Sequence, residues 1–176
     1  KNKIKLISVG RITDQKDFIT ILKALNIVKK SNVELVIIGK GEKEIEIKRY
    51  IELNNLNKKV RLLGYKKNPF PYIKQADLFL LSSKFEGLPN VMVEALYLKK
   101  FIISTDCPTG PKEILNNGKF GELVKIGDYK KIAKLIDNFK KTKIVKNKIR
   151  GGYKSLKKYN YKINCEKYYQ LVKNYL

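Results

Sequence analysis

Residues 4–41 read IKLISVGRITDQKDFITILKALNIVKKSNVELVIIGKG, and this stretch decides the fold. Ile4–Val9 is an apolar run of strand length that stops at Gly10. Asp17 then opens a segment in which Phe18, Ile21, Leu22, Leu25 and Val28 recur at helical spacing. Val33–Ile38 is a second apolar run, closed by Gly39. Two strands joined through a helix lie parallel, because a hairpin needs only a short turn and a crossover needs a dozen residues or more.

The same alternation continues along the chain. Glu42–Leu53 is a charged amphipathic helix candidate, and Val60–Leu63 is a short strand ending at Gly64. Asn68-Pro69 and Phe70-Pro71 punctuate the next segment. Asp77–Leu81 and Phe101–Ser104 read as strands, with a helix over Asn90–Leu98 between them. Pro108, Gly110 and Pro111 lead into a short helix carrying Ile114 and Leu115. Gly118–Val124 is a turn and last short strand, and Tyr129–Phe139 an amphipathic helix through Ile132, Leu135 and Ile136. The remainder reads as helix broken near Gly151-Gly152. The fold class is therefore α/β: a Rossmann-like, doubly wound, mainly parallel sheet with right-handed crossovers and C-terminal helices. Residues 1–140 form the sheet domain, and residues 141–176 are expected to be a basic helical extension packing on it.

Ligands of such sheets sit beyond the carboxyl ends of the strands. That directs attention to five loops: Gly10–Lys16, Gly39–Gly41, Gly64–Lys66, Ser82–Asn90 and Thr105–Pro111. In the first, Gly10 allows close backbone approach, while Arg11 and Lys16 hold a diphosphate from two sides or else are two solvated cations on a turn. Gly39-Lys40-Gly41 lacks the third glycine and the later acid of a dinucleotide fingerprint. Gly118-Lys119 is no P-loop, since position 113 is Glu and position 120 is Phe. The fourth loop runs into EGLPNVMVEAL, residues 86–96. Gly87 and Pro89 shape a turn, Asn90 is placed to cap the helix, and the free N–H groups of its first turn form an anion site. Glu86 and Glu94 are acceptors suited to sugar hydroxyls, or else a surface Glu and a helix Glu paired to Lys. A phosphate on the amides with hydroxyls on the flanking carboxylates describes a nucleotide sugar.

Composition removes other chemistries. The chain has 176 residues and no histidine, so it holds neither a Ser-His-Asp nor a Cys-His catalytic set, nor a His-ligated metal. Cys107 and Cys165 form no CxxC, which points to a reducing compartment; without a histidine to activate it, Cys107 reads as a packed thiol. No apolar run reaches the length of a membrane span, and the opening residues lack the pattern of a signal peptide. The net charge of +23 comes from 39 Lys or Arg against 16 acids, but only Arg11, Arg49, Arg61 and Arg150 are arginines. Readers of base edges lean on Arg, so nucleic acid is a weak reading of this charge and an anionic membrane surface at least as good a one.

Taken together, the loops resemble the C-terminal, donor-binding half of retaining glycosyltransferases of the GT-B type, family 4 (glycosyl transferases group 1). The signature is Glu-x7-Glu, here Glu86 and Glu94, after the strand DLFLLSS. LISVGRITDQK matches the family's VGR…K element, and VELVIIGKG, VRLLGYKKN and STDCPTGPKEIL follow in the expected order. The match runs from about Ile4 to Asp128, and its wording is most similar to bacterial enzymes of surface polysaccharide, lipopolysaccharide or lipid-linked glycan assembly.

The resemblance implies that Arg11 and Lys16 hold the donor diphosphate, Glu86 the sugar and Glu94 the ribose. Arg11, Lys16 and Glu86 then carry the catalytic roles. Gly10, Gly87, Leu88, Pro89, Asn90 and Val91 frame phosphate and sugar, and Gly39, Gly41, Gly64, Tyr65 and Lys66 surround the base. It further implies a nucleotide-sugar donor, with UDP the expected carrier, no cofactor and no metal, and transfer with retention to a glycan or lipid-linked acceptor. Family members are about twice this length, with an N-terminal acceptor domain that this sequence does not contain. The chain is thus expected to be a fragment that binds donor without transferring it. Two other classes remain open on the sequence: a non-catalytic nucleotide-sugar or partner-binding module, and a basic membrane- or nucleic-acid-binding domain. Residues 140–176 hold twelve Lys or Arg against Glu166 alone, and six of the eleven tyrosines: Tyr153, Tyr159, Tyr161, Tyr168, Tyr169 and Tyr175. This tail is a solvated amphipathic end, an attachment surface for an anionic, cytoplasmic-face membrane, or, as the resemblance implies, in part a contact face for the N-terminal domain.

Overall fold

The structure is a computed structural model that describes residues 3–173; Tyr175 of the tail lies outside them. Six strands form one sheet: β1 (Ile4–Val9), β2 (Val33–Ile38), β3 (Val60–Leu62), β4 (Leu78–Leu81), β5 (Phe101–Thr105) and β6 (Glu122–Val124). Their order is β3-β2-β1-β4-β5-β6, and every pair is parallel. The chain builds outward from β1 in one direction, then returns and builds outward in the other. The order therefore reverses between β1 and β4, which is where a doubly wound sheet opens a crevice.

Both faces of the sheet are covered, so its strands are apolar almost throughout. Period-two alternation sorts the side chains. Leu6, Leu35, Ile37, Leu78, Leu80 and Ile103 face α1 (Phe18–Ile27), α2 (Glu44–Leu53) and α6 (Tyr129–Asn138). Ile7, Ile38, Phe79, Leu81 and Ile102 face α3 (Phe70–Gln75), α4 (Asn90–Tyr97) and α5 (Pro111–Ile114). Phe79 is completely buried. A side chain of that size contributes roughly 1.5–3 kcal/mol by leaving water.

Two local expectations are corrected. Gly151-Gly152 does not break the tail, because α7 runs unbroken over Lys143–Ser155. The glycines serve contact: a Cβ on Gly151 would stand 2.9 Å from the Phe120 ring, and one on Gly152 would stand 2.7 Å from Leu96 Cδ2. The helix accepts the poorer propensity of glycine in exchange for a close approach. The interruption falls later, at the 3-10 turn Leu156–Tyr159, after which α8 spans Tyr161–Lys173. Asn90 is also not a cap. Pro89 occupies the N-cap position and no side chain caps the helix, so Asn90 is its first residue. The structure adds α3, in the segment the sequence marked only by its prolines. Pro71 lies in its first turn, where a missing N–H costs nothing.

The tail divides. Val145 and Ile149 of α7 pack on the first core, and Leu156 and Tyr159 pack on the second. Between them Lys148 Nζ meets Glu122 at 2.6 Å and the carbonyls of Gly118 and Gly121 at the β6 edge. Every residue of α8 is exposed, including Tyr161, Tyr168, Tyr169 and Leu171. No helix among the described residues is long and apolar enough to cross a membrane.

Candidate functional site

In a parallel sheet all carboxyl ends share one edge. The five loops picked out in the sequence follow β1, β2, β3, β4 and β5 and so converge on that edge. Backbone bonds knit the first three: Gly10 N–H donates to Ile38, Ile12 N–H to Lys40, Lys43 N–H to Ile12 and Gly39 N–H to Gly64. Glycine is required at two of these positions. A Cβ on Gly39 (φ +153°) would stand 1.9 Å from the Gly10 carbonyl oxygen, and one on Gly41 would stand 2.3 Å from that of Ile12. Gly10 is different, since a Cβ there would meet only the Lys16 side chain at an ordinary 3.5 Å.

Across the β1–β4 gap the loops are fastened by side chains. Ser82, buried at the end of β4, donates to the carbonyls of Lys16 and Asp17 at 2.9 and 2.8 Å. Lys84 N–H donates to the Gln15 carbonyl, Gln15 Nε2 to that of Phe85, and Lys84 Nζ pairs with Asp14 at 2.7 Å. At the centre Lys16 Nζ lies 2.6 Å from Glu86 Oε1, with the two side chains 14% and 6% exposed. Ser83 Oγ donates to the same oxygen at 2.6 Å. Thr109 Oγ donates to the Glu86 carbonyl, and Thr105 Oγ1 to that of Ser83 at 2.6 Å. The loop after β5 thus holds the loop after β4 from the other side. A Cβ on Gly110 (φ +76°) would lie 2.3 Å from the Gly87 carbonyl oxygen.

The other expected site residues lie on the loops that share this edge of the sheet. Arg11 is exposed on the same loop as Lys16. Gly87 borders open space, with nothing within 4 Å of where a Cβ would stand. Leu88 is half exposed, Pro89 is buried, Asn90 is exposed, and Val91 packs on the second core. Gly64 (φ +66°), the exposed Tyr65 and the half-buried Lys66 follow β3. The Asn90 and Val91 N–H groups open α4 with no partner inside the helix.

Glu94 is half-buried and faces a cleft of about 590 Å³ shared with Phe70, Tyr97, Tyr153 and Tyr159. Its carboxylate makes no hydrogen bond or ion pair among the described residues, which removes the reading of a helix Glu paired to Lys. Burial pushes its carboxyl up from the usual range. A carboxyl raised on folding contributes stability at low pH that is lost as the pH rises from the unfolded value through the folded one. Glu94 therefore costs stability at neutral pH. Cys107 is buried and burial raises its thiol, which suits a packed side chain. No group of three or more His, Cys, Asp or Glu among the described residues is placed to hold a metal ion.

Ser82, Ser83, Thr105 and Thr109 were not singled out in the sequence as site residues. For Ser82, Ser83 and Thr105 the signal was position alone, hydroxyls at the carboxyl ends of apolar strands, where a buried polar group needs a partner; Thr109, exposed in the loop after β5, carried no such signal.

The family profile for glycosyl transferases group 1 matches residues 1–162. The chain belongs to the glycosyl transferases group 1 family. An uncharacterized glycosyltransferase of Methanocaldococcus jannaschii is 43% identical over 117 residues, covering 65% of this chain and 29% of that protein. The N-acetylgalactosamine-N,N'-diacetylbacillosaminyl-diphospho-undecaprenol 4-alpha-N-acetylgalactosaminyltransferase of Campylobacter jejuni is 31% identical over 157 residues, covering 87% and 43%. Among solved structures, a mutant of S. aureus TarM in complex with fondaparinux, alpha-GlcNAc-glycerol and UDP superposes with a TM-score of 0.89 at 22% identity. That match covers 96% of this chain and 35% of TarM, and establishes the shared fold. This group 1 glycosyltransferase chain spans under half the length of the relatives it matches.

Proposed function

We propose that the chain binds a nucleoside diphosphate sugar at the β1–β4 crevice, as the donor-binding half of a retaining glycosyltransferase. The observation that carries this reading is the meeting of Lys16 and Glu86, 70 positions apart, at the point where the strand order reverses. A cation and a carboxylate held together there serve the two halves of the scissile bond. Transfer breaks the bond between the anomeric carbon and the diphosphate, and the electron pair leaves with the phosphate. Arg11, two remaining N–H groups of Lys16 and the amides opening α4 stabilise that charge. Glu86 accepts from a sugar hydroxyl and Glu94 from the ribose. This uses fixed cations and no metal. UDP is the proposed carrier, in keeping with its presence in the TarM structure. A lipid-linked acceptor is in keeping with the diphospho-undecaprenol named for the Campylobacter relative. The acceptor docks on a further domain of the whole enzyme, so this chain alone takes up donor without transferring sugar.

The test is a thermal-shift and calorimetry panel of UDP, GDP, ADP and their sugars on the 176-residue chain. One nucleotide family is expected to raise Tm. Arg11→Ala weakens that family about tenfold, the worth of a charge-assisted hydrogen bond. Glu94→Gln weakens it as well, yet raises Tm without ligand at pH 7 and leaves it unchanged below pH 4. Loss of ligand-free stability in Glu94→Gln, or full affinity in both variants, contradicts the assignment.

The fully exposed α8, with its tyrosines among lysines, supports a second element of the reading. The whole enzyme sits on the anionic cytoplasmic face of a membrane, where a lipid-linked acceptor resides. Co-sedimentation with phosphatidylglycerol vesicles, absent with phosphatidylcholine and suppressed by salt, is expected. Equal recovery with both lipids contradicts it.

A further inference from the structure

We propose that Ser83 is a positioning residue for Glu86. It pins one carboxylate oxygen so that the other is presented to the donor sugar; the second half of this statement rests on the donor-site reading above. Both contacts to the Glu86 carboxylate fall on Oε1: Lys16 Nζ at 2.6 Å and Ser83 Oγ at 2.6 Å. Oε2 has no protein partner among the described residues, so its lone pairs are the ones available to a hydroxyl.

The two donors on Oε1 are not equivalent. Lys16 reaches the carboxylate on a four-carbon stem with several rotamers, and it is also the cation expected to turn toward a diphosphate. Ser83 has one rotatable bond and is completely buried. Its backbone is fixed in turn by Thr105 Oγ1, itself buried, at 2.6 Å from the Ser83 carbonyl oxygen. A buried hydroxyl is costly unless paired, and Glu86 is the acceptor that pairs this one. Ser83 therefore holds the carboxylate in register when Lys16 is drawn toward phosphate. The short link from β4 to Glu86 takes its aim from β5 through Thr105 and Ser83. Thr109, which donates to the Glu86 carbonyl, fixes the main chain of the same residue.

The experiment is Ser83→Ala in the 176-residue chain, read in two ways. Without ligand, NMR relaxation of the Glu86 methylene groups is expected to show a lower order parameter, while the backbone amides of residues 82–87 keep theirs. Unchanged Glu86 methylene order overturns the proposal. With UDP and UDP-N-acetylglucosamine as probes, the variant is expected to hold UDP as the parent does and to bind the sugar nucleotide about five- to tenfold more weakly. In a Glu86→Ala background Ser83→Ala is expected to add nothing to the loss of sugar-nucleotide affinity, since the carboxylate that Ser83 positions is already gone. Equal weakening of both probes, or additive losses, overturns it. Uptake of neither probe by the parent chain defeats the donor reading instead, and the relaxation data still decide whether Ser83 orders Glu86.

Discussion

Lys16→Met is expected to cost the chain about 3–5 kcal/mol of stability and to abolish uptake of nucleoside diphosphates. The size follows from burial. Glu86 is 6% exposed and Lys16 14%, so removing the cation leaves a carboxylate with little water to compensate it. One Ser83 hydroxyl cannot neutralise it. Urea denaturation should show the loss as a lower midpoint with an unchanged m-value. Lys16→Met/Glu86→Gln is expected to regain most of that stability, because the uncompensated charge is gone and the Gln oxygen still accepts from Ser83. It should not regain binding. This split separates the pairing of Lys16 with Glu86 in the fold from its proposed contact with a phosphate in the site. A Lys16→Met chain as stable as its parent would show that the pair contributes nothing to folding.

Gly39→Ala should be nearly as damaging, at about 3 kcal/mol, for a reason with no electrostatics in it. The new Cβ would stand 1.9 Å from the Gly10 carbonyl oxygen and 3.0 Å from its carbon. Both neighbours are backbone, so no side chain can rotate away. The β1 and β2 exits would have to part, although Gly10 N–H is bonded to Ile38 and Ile12 N–H to Lys40. That movement displaces Arg11, so nucleotide affinity should fall with stability. Gly87→Ala is the control, since its Cβ would meet nothing within 4 Å and the urea midpoint should not move. An unchanged midpoint for Gly39→Ala would contradict the steric account.

Much of this architecture was legible in the sequence, and the reason is burial. A parallel sheet covered on both faces makes its strands apolar runs, as in LFLL of β4 and FIIST of β5, and each run ends at the glycine or polar residue that begins a loop. Loops after parallel strands share an edge, so naming five of them placed the candidate site. What the sequence could not carry was long-range pairing. Arg11, Lys16, Glu86 and Glu94 stand out in the sequence as candidates, but nothing in their spacing says that Lys16 and Glu86 touch. Glycine was misread where its role is contact rather than backbone freedom, since Gly151 and Gly152 sit inside α7 to admit Phe120 and Leu96. The α3 helix escaped notice because six residues opening on prolines give too short a periodicity to count.

The lacing of the loops has a consequence for how quickly and how selectively the crevice accepts a molecule. Hydrogen bonds from Ser82, Gln15, Thr105 and Thr109 tie the exits of β1, β4 and β5 into one band before any ligand arrives. The chain entropy of ordering those loops is lost once, at folding, and not again at each encounter. Association then waits on collision and on small side-chain turns, chiefly of Lys16 and Arg11. On the donor reading proposed above, discrimination among sugars rests correspondingly on a rigid outline, the free oxygen of Glu86 beside the open space at Gly87, and not on a loop that reshapes itself to each visitor.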